Sequence, residues 1–319
     1  MSSTTATGVA GVTNPGHRAP SGGKDTIAGA KRRQALIAWG FAAPFVIIFA
    51  FFMLIPLVSS FAMSFTDFNA RDVQTPLAVG FIGLDNYIEL FKDPNFLQSL
   101  AVTGIFVIIG IPLTMTIAFF LAVALNNGIS RFRAVFRVGF YAPVVTSIVA
   151  VSVVWRYILN NDGLMNMVLG WFGIEGPNWL NDTTWALPSL ILMAVWRNVG
   201  TQMVIFLAGL QAVPPEVQEA AMMDGATAAR RMWSITLPLL RPTILLNIVM
   251  ISVGYLQFFE EAFVMTQGGP LGSTTSVAYF TFGKFRFGEY GMASASSYVL
   301  FIIIAILAFV QFRFLQPKD

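Results

Sequence analysis

The 319-residue sequence contains no cysteine. That excludes a disulfide framework, thiol chemistry and any thiolate metal site. Histidine is nearly absent too. The single copy, His17, sits in a polar N-terminal stretch and reads as a solvated side chain. A histidine-based catalytic or zinc centre in the apolar body is therefore excluded, and no metal site is expected. Charge is sparse: Asp, Glu, Lys and Arg make up 11% of the residues, against about 25% in soluble domains. A phosphate-binding loop is missing as well. Gly22-Gly23-Lys24 is followed by Asp25, so no G-x-x-x-x-G-K-[ST] cradle exists for a nucleotide. Neither G-x-S-x-G nor H-E-x-x-H occurs. The chain is expected to be neither an enzyme nor the holder of a cofactor. The formal charge of +3 does not point to nucleic acid, because the basic residues form no cluster suited to phosphate contacts.

What is abundant is apolar: 56% of residues are hydrophobic. The chain therefore reads as an integral membrane protein. Residues 1–34 form a Ser-, Gly- and Ala-rich tail without an apolar run, expected to be disordered. Six apolar stretches follow at Ala35–Ser64, Ser99–Leu125, Val135–Leu159, Ala186–Ala212, Pro242–Thr266 and Gly291–Phe312. Each meets the roughly 20 residues that a helix needs to cross hydrocarbon. None alternates in polarity as barrel strands do. The expectation is an all-α bundle of six transmembrane helices over residues 35–315, with a short C-terminal end at 316–319. Pro44, Pro56, Pro112, Pro143 and Pro188 lie inside the spans, as packing features or as hinges.

Thirteen of the 19 Lys and Arg residues fall on one side of this arrangement, including Lys31, Arg32, Arg33, Arg131, Arg230 and Arg231. The positive-inside rule makes that side cytoplasmic, with both termini on it. Between the fourth and fifth spans, on the same side, lies a long polar loop, residues 213–241. Its Glu216, Glu219, Asp224, Arg230, Arg231 and Arg241 are too costly for a lipid core. Pro214 and Pro215 suit a helix entry. Glu216 and Glu219 favour the first turns, and Asp224-Gly225 marks a turn. The pattern predicts a compact helix–turn–helix with small residues Ala220, Ala221, Gly225 and Ala226 where a partner could approach. Met222, Met223 and Trp233 are apolar anchors. Since the chain cannot hold ATP itself, this loop is expected to receive force from a separate motor.

Charges within spans are expensive and so are candidates for function. Arg197 lies in the fourth span beside Asn198, Thr201 and Gln202, the last three at i, i+3 and i+4 on one helix face. Glu260 and Glu261 lie in the fifth, near Gln257 and Phe258. Amides and carboxylates bond hydroxyls, and aromatic faces cover the apolar side of a sugar ring. The same residues also admit a purely supportive arrangement in which Arg197 pairs with a glutamate. Adjacent helical residues lie about 100° apart, so sequence does not say whether Glu260 or Glu261 faces the bundle.

Glu219-Ala220-Ala221, Asp224-Gly225-Ala226 and Ile235-x-Leu237-Pro238 at their spacing resemble the EAA loop of bacterial ABC importer permeases. GLDNYIELFKDPNF, WRYILNNDGLMNMVLGWFGI and the Thr266–Pro270 stretch resemble the carbohydrate-uptake branch, in particular the first, maltose-type permease of a pair. The likeness runs from about Leu36 to Phe314. It implies a type I permease bundle in the bacterial cytoplasmic membrane that moves a sugar by alternating access. It further implies a second homologous permease, two ATPase subunits or domains carrying ATP and Mg²⁺, and an extracytoplasmic solute-binding protein. Glu219, Ala220, Ala221, Asp224, Gly225 and Ala226 would form the ATPase-coupling segment. Arg197, Asn198, Thr201, Gln202, Gln257, Phe258, Glu260 and Glu261 would border the substrate pathway. The sequence departs from the maltose-type pattern at the Glu260-Glu261 pair, and lacks that branch's extra N-terminal spans and large extracytoplasmic domain. A glycerol phosphate ester as cargo, or a transporter working without a motor, are the alternatives.

Overall fold

A computed structural model of the chain describes residues 23–75, 79–127 and 133–315. The expected tail lies outside them as far as residue 22, as do Arg131 and residues 316–319. The chain forms two compact units that divide after Val58.

The N-terminal unit is helical from α1 (Gly23–Phe49) through a wide π-helical turn (Ala50–Leu54) into α2 (Ile55–Met63). The helix thus begins inside the stretch read as a tail. Ala28, Ala30, Lys31, Arg32 and Arg33 are strong helix formers and carry it upstream of the apolar run. No residue between 31 and 58 is buried. A helix that is apolar on every side and uncovered is what a membrane span looks like without its lipid. The π turn ends two residues before Pro56, which cannot donate the ordinary helical bond.

The larger unit holds the remaining helices. Short α3 (Asp85–Leu90) precedes the long α4 (Pro94–Asn127), then α5 (Arg133–Val145), α6 (Ile148–Ile158), α7 (Leu164–Trp171) and α8 (Ala186–Gln211). The polar loop gives α9 (Pro215–Met223), α10 (Ala228–Arg231) and α11 (Leu237–Leu239), and α12 (Arg241–Leu256), α13 (Val277–Arg286) and α14 (Tyr290–Leu315) complete the chain. Among the described residues there is no strand, only one bridge between Thr66 and Phe81.

α8 is the axis of the unit, packed along α4 and flanked by α5 and α12. Phe106, Leu190, Met193, Ile251 and Tyr255 make one apolar cluster where α4, α8 and α12 meet. Ala118, Phe119, Met203 and Phe206 make another further along the α4–α8 contact. Polar bonds pin the helices between these clusters. The Tyr255 hydroxyl lies 2.8 Å from Thr114 Oγ1, and Thr114 already donates to the Gly110 carbonyl. Tyr255 is therefore the donor in that pair. Gly110 leaves room for its ring, since a Cβ there would stand 2.7 Å from Tyr255 Cε2. α5 rides on α8 at Gly200, where a Cβ would meet the Phe140 carbonyl oxygen at 2.1 Å.

Among the described residues four helices are long and apolar enough to span: Lys31–Met63, Pro94–Asn126, Ala186–Gln211 and Tyr290–Phe314. Two bent pairs add up to two more. The third expected span is one of them, turning through 108° between Val145 and Ile148. Pro143 deprives it of a helical bond and Ser147 leaves helical geometry, with ψ at 127°. The fifth expected span is not continuous either. α12 ends at Leu256 after 16 residues, about 24 Å at 1.5 Å per residue, and meets the preceding helical segment, Ala228–Leu239, at 67°.

Candidate functional site

The backbone leaves the helix at Gln257–Phe259 and resumes helical turns at Glu260, running through a π-helical turn to Thr266. Irregular backbone at membrane depth is tolerated where protein or a wet cavity satisfies it. Both conditions are met here. The Phe258 carbonyl accepts a bond from Ser276 Oγ at 2.6 Å, and Ser276 is itself fully buried. The Phe258 ring stacks on Phe106 with centroids 3.9 Å apart and planes 6° from parallel. Phe258 is thus clamped by α4 on one side and by the start of α13 on the other.

Beside the break lies a cavity of about 300 Å³. α8 contributes Arg197, Asn198 and Gln202; the broken span contributes Gln257, Phe258, Glu260 and Glu261. Seven of the eight side chains expected along the pathway therefore come together. Thr201 does not join them. It sits roughly 60° around the helix from Asn198, on the side away from Gln202, and its side chain is too short to compensate. Arg197 is offset as well, but its length carries it to the cavity. Both glutamates line the space: Glu260 is exposed to it and Glu261 is 5% exposed.

Several polar atoms here lack partners. Arg197 Nε, Gln202 Oε1 and Glu261 Oε2 are buried without a hydrogen bond. Asn198 turns its amide back on its own helix, donating to the Ala194 carbonyl at 2.8 Å. Among the described residues the only ion pairs join Lys284 to Glu289 at 2.9 Å and to Asp93 at 3.9 Å. Arg197 is thus not tied to either glutamate. Buried polar groups normally find partners, so this set has an unfilled requirement for one. Tyr255, Ile148 and Ile251 also line the cavity. Ile148 carried no sequence signal, since it arrives only through the bend after Ser147.

The polar loop folds as two short helical stretches. α9 begins with Pro215 in its first turn, preceded by Pro214 as cap. It closes with Ala226 N–H donating to the Ala221 carbonyl at 2.9 Å, around Gly225 at φ +75°. That is the glycine-terminated helix end of a Schellman-type turn. Thr227 then caps α10, accepting from the Arg230 N–H. Gln218 Nε2 donates to Thr236 Oγ1 at 2.9 Å and ties the two stretches together. Glu219, Ala220, Asp224 and Gly225 are exposed, Ala226 is half-buried, and Ala221 is turned inward. Met222 and Trp233 are more than half exposed or at that mark, and Met223 is 88% exposed. An uncovered apolar set on a polar loop is the mark of a contact surface.

Residues 94–318 match the family described as "Binding-protein-dependent transport system inner membrane component". The chain is 38% identical over 288 residues to the probable ABC transporter permease protein YesP of Bacillus subtilis (strain 168), covering 88% of this chain and 91% of that one. It is 34% identical to the lactose transport system permease protein LacF of Rhizobium radiobacter, over 88% of this chain and 95% of the relative. It is 30% identical to the trehalose/maltose transport system permease protein MalF of Thermococcus litoralis, over 89% and 95%. Among solved structures, a chain of a bacterial ABC transporter involved in the import of the acidic polysaccharide alginate superposes with a TM-score of 0.73. That match has 24% identity and covers 92% of this chain and 100% of that chain. The likeness in three dimensions concerns the fold.

Proposed function

Since the chain belongs to the family of binding-protein-dependent transport inner membrane components, we propose that it is the permease subunit of an ABC importer for a sugar or oligosaccharide. The observation that carries this is the polar cavity at the break of the fifth span, where Arg197, Gln202, Glu260 and Glu261 meet inside the bundle. Many secondary transporters place their cargo near the membrane midplane, against discontinuous helices, and the same physics applies to a motor-driven bundle. Curated relatives whose names give lactose or trehalose/maltose as cargo support the choice of solute.

In this account six spans cross the inner membrane, two of them bent, with both termini in the cytoplasm. Asn198, Gln202, Gln257, Glu260 and Glu261 offer bonds to sugar hydroxyls, and Arg197 adds a donor. Thr201 stands at the edge of this set. Phe258, held still by Phe106 and nearly fully buried, borders the set as an apolar wall. A second, homologous permease closes the other half of the pathway, and an extracytoplasmic binding protein delivers the sugar. α9 and the turn at Gly225 dock on a separate ATPase, which holds ATP and Mg²⁺. Glu219 is the polar contact, while Met222 and Met223 are the apolar ones. Motor closure moves the bundle only if the motor binds one bundle state better than the other.

The test is uptake of radiolabelled saccharides into proteoliposomes holding the complete importer. ATP-dependent accumulation of at least one saccharide is expected. Accumulation without the ATPase, or none for any saccharide with a working ATPase, overturns the proposal.

A further inference from the structure

The curated relatives and structural neighbours name both neutral and acidic saccharides, so kinship leaves the charge of the cargo open. The cavity does not. Resting on the sugar reading above, we infer that it selects a neutral, polyhydroxylated ligand and discriminates against uronates and amino sugars.

Three buried polar atoms in the cavity lack partners. Arg197 Nε is a donor; Gln202 Oε1 and Glu261 Oε2 are acceptors. All three side chains line one cavity of about 300 Å³, and Gln202 and Glu261 are each at most 5% exposed. A ligand group that satisfies this set must both accept and donate. A hydroxyl does so, and neighbouring hydroxyls do so twice. A carboxylate only accepts; it answers Arg197 but turns lone pairs towards Glu261 and Gln202. An ammonium only donates; it answers Glu261 but faces the guanidinium of Arg197.

The charge count agrees for the uronates. Among the described residues Arg197 is the only cation lining the cavity, and Glu260 and Glu261 line it as well. Two carboxyl groups therefore face one guanidinium. No surplus positive charge remains to receive an anion. Arg197 lies more than 4 Å from both carboxylates by the absence of any ion pair between them, which leaves room for a hydroxyl between donor and acceptor. Phe258, fixed flat against Phe106 and only 3% exposed, closes this side of the cavity as an apolar wall.

The importer purified with its partner subunits in nanodiscs, without binding protein, is titrated calorimetrically with neutral trisaccharides. Their uronate and 2-amino counterparts are titrated alongside. At least one neutral probe is expected to bind, with its uronate and amino counterparts weaker by about tenfold or more, a difference of 1.4 kcal/mol. Glu261→Gln and Glu260→Gln are expected to narrow the uronate deficit at least severalfold. The exposed Glu260 keeps the test alive where Glu261→Gln fails to fold. A charged counterpart bound as tightly as its neutral parent, or a deficit untouched in both variants, overturns the inference while leaving sugar import standing. Binding of no saccharide from any set overturns the sugar reading itself.

Discussion

Replacing Gly200 by alanine tests the packing that holds α8 beside the cavity. A Cβ at this position would lie 2.1 Å from the Phe140 carbonyl oxygen, 2.9 Å from its carbon and 3.1 Å from Tyr141 Cα. All three are backbone atoms, so no side chain can swing aside. α5 must retreat from α8, three residues from Arg197 and two from Gln202. Overpacking of this kind costs about 1–3 kcal/mol, offset by the roughly 0.5–1 kcal/mol that alanine gains over glycine in a helix. Gly104→Ala in α4 supplies the reference, because nothing lies within 4 Å of a Cβ there. It shares the propensity gain without the clash. The stability gap between the two variants is therefore the contact alone, about 1–3 kcal/mol. At roughly 2 °C per kcal/mol, Gly200→Ala should melt about 2–6 °C below Gly104→Ala when the purified complex is heated and followed by tryptophan fluorescence. Equal midpoints would refute the close approach of α5 to α8.

Other perturbations separate the parts of the account. Thr103 Oγ1 accepts the buried N–H of Val277 at 3.0 Å. Thr103→Ala should cost about 1–3 kcal/mol by leaving that donor unmet, and Thr103→Ser should restore stability in the same melting assay. Glu219→Ala should leave the protein in the membrane and the ATPase running while uptake falls. Gly225→Val should do the same, with about 1–2 kcal/mol of added strain at φ +75°. Wild-type uptake in both variants would remove the docking role of the loop. Tyr255→Phe loses one interhelical bond but leaves Thr114 donating to Gly110. Its cost should stay near 0.6 kcal/mol, the average for such bonds in membranes, and a loss of several kcal/mol would contradict the bonding assigned to that pair.

Much of the architecture was legible because hydropathy along the chain reports directly on contact with hydrocarbon. The apolar runs at α4, α8 and α14 coincide with single long helices. The turn at Asp224-Gly225 was legible because only glycine readily takes φ +75°. The breaks in the third and fifth runs were not. Gln257–Phe259 leaves the helix because Ser276, nineteen residues beyond Gln257, takes the Phe258 carbonyl, and because Phe106 on α4 stacks the Phe258 ring. These are tertiary causes, invisible to a window of sequence. Grouping Asn198, Thr201 and Gln202 on one face was sound as periodicity, yet the cavity edge falls between them. Ile148 entered the lining through a bend that Pro143 hints at without fixing its angle.

The central claim is that cargo passes the broken fifth span. With no native cysteine to interfere, a single cysteine at Gln257, exposed and lining the cavity, can be labelled by a water-soluble thiol reagent in the complete importer. A saccharide that the importer accumulates should slow that labelling severalfold. It should leave a cysteine at Phe172, an exposed position at the end of α7 outside the spans, unchanged. Labelling of Gln257→Cys at the same rate with and without cargo, in vesicles that still accumulate it, would place the passage elsewhere.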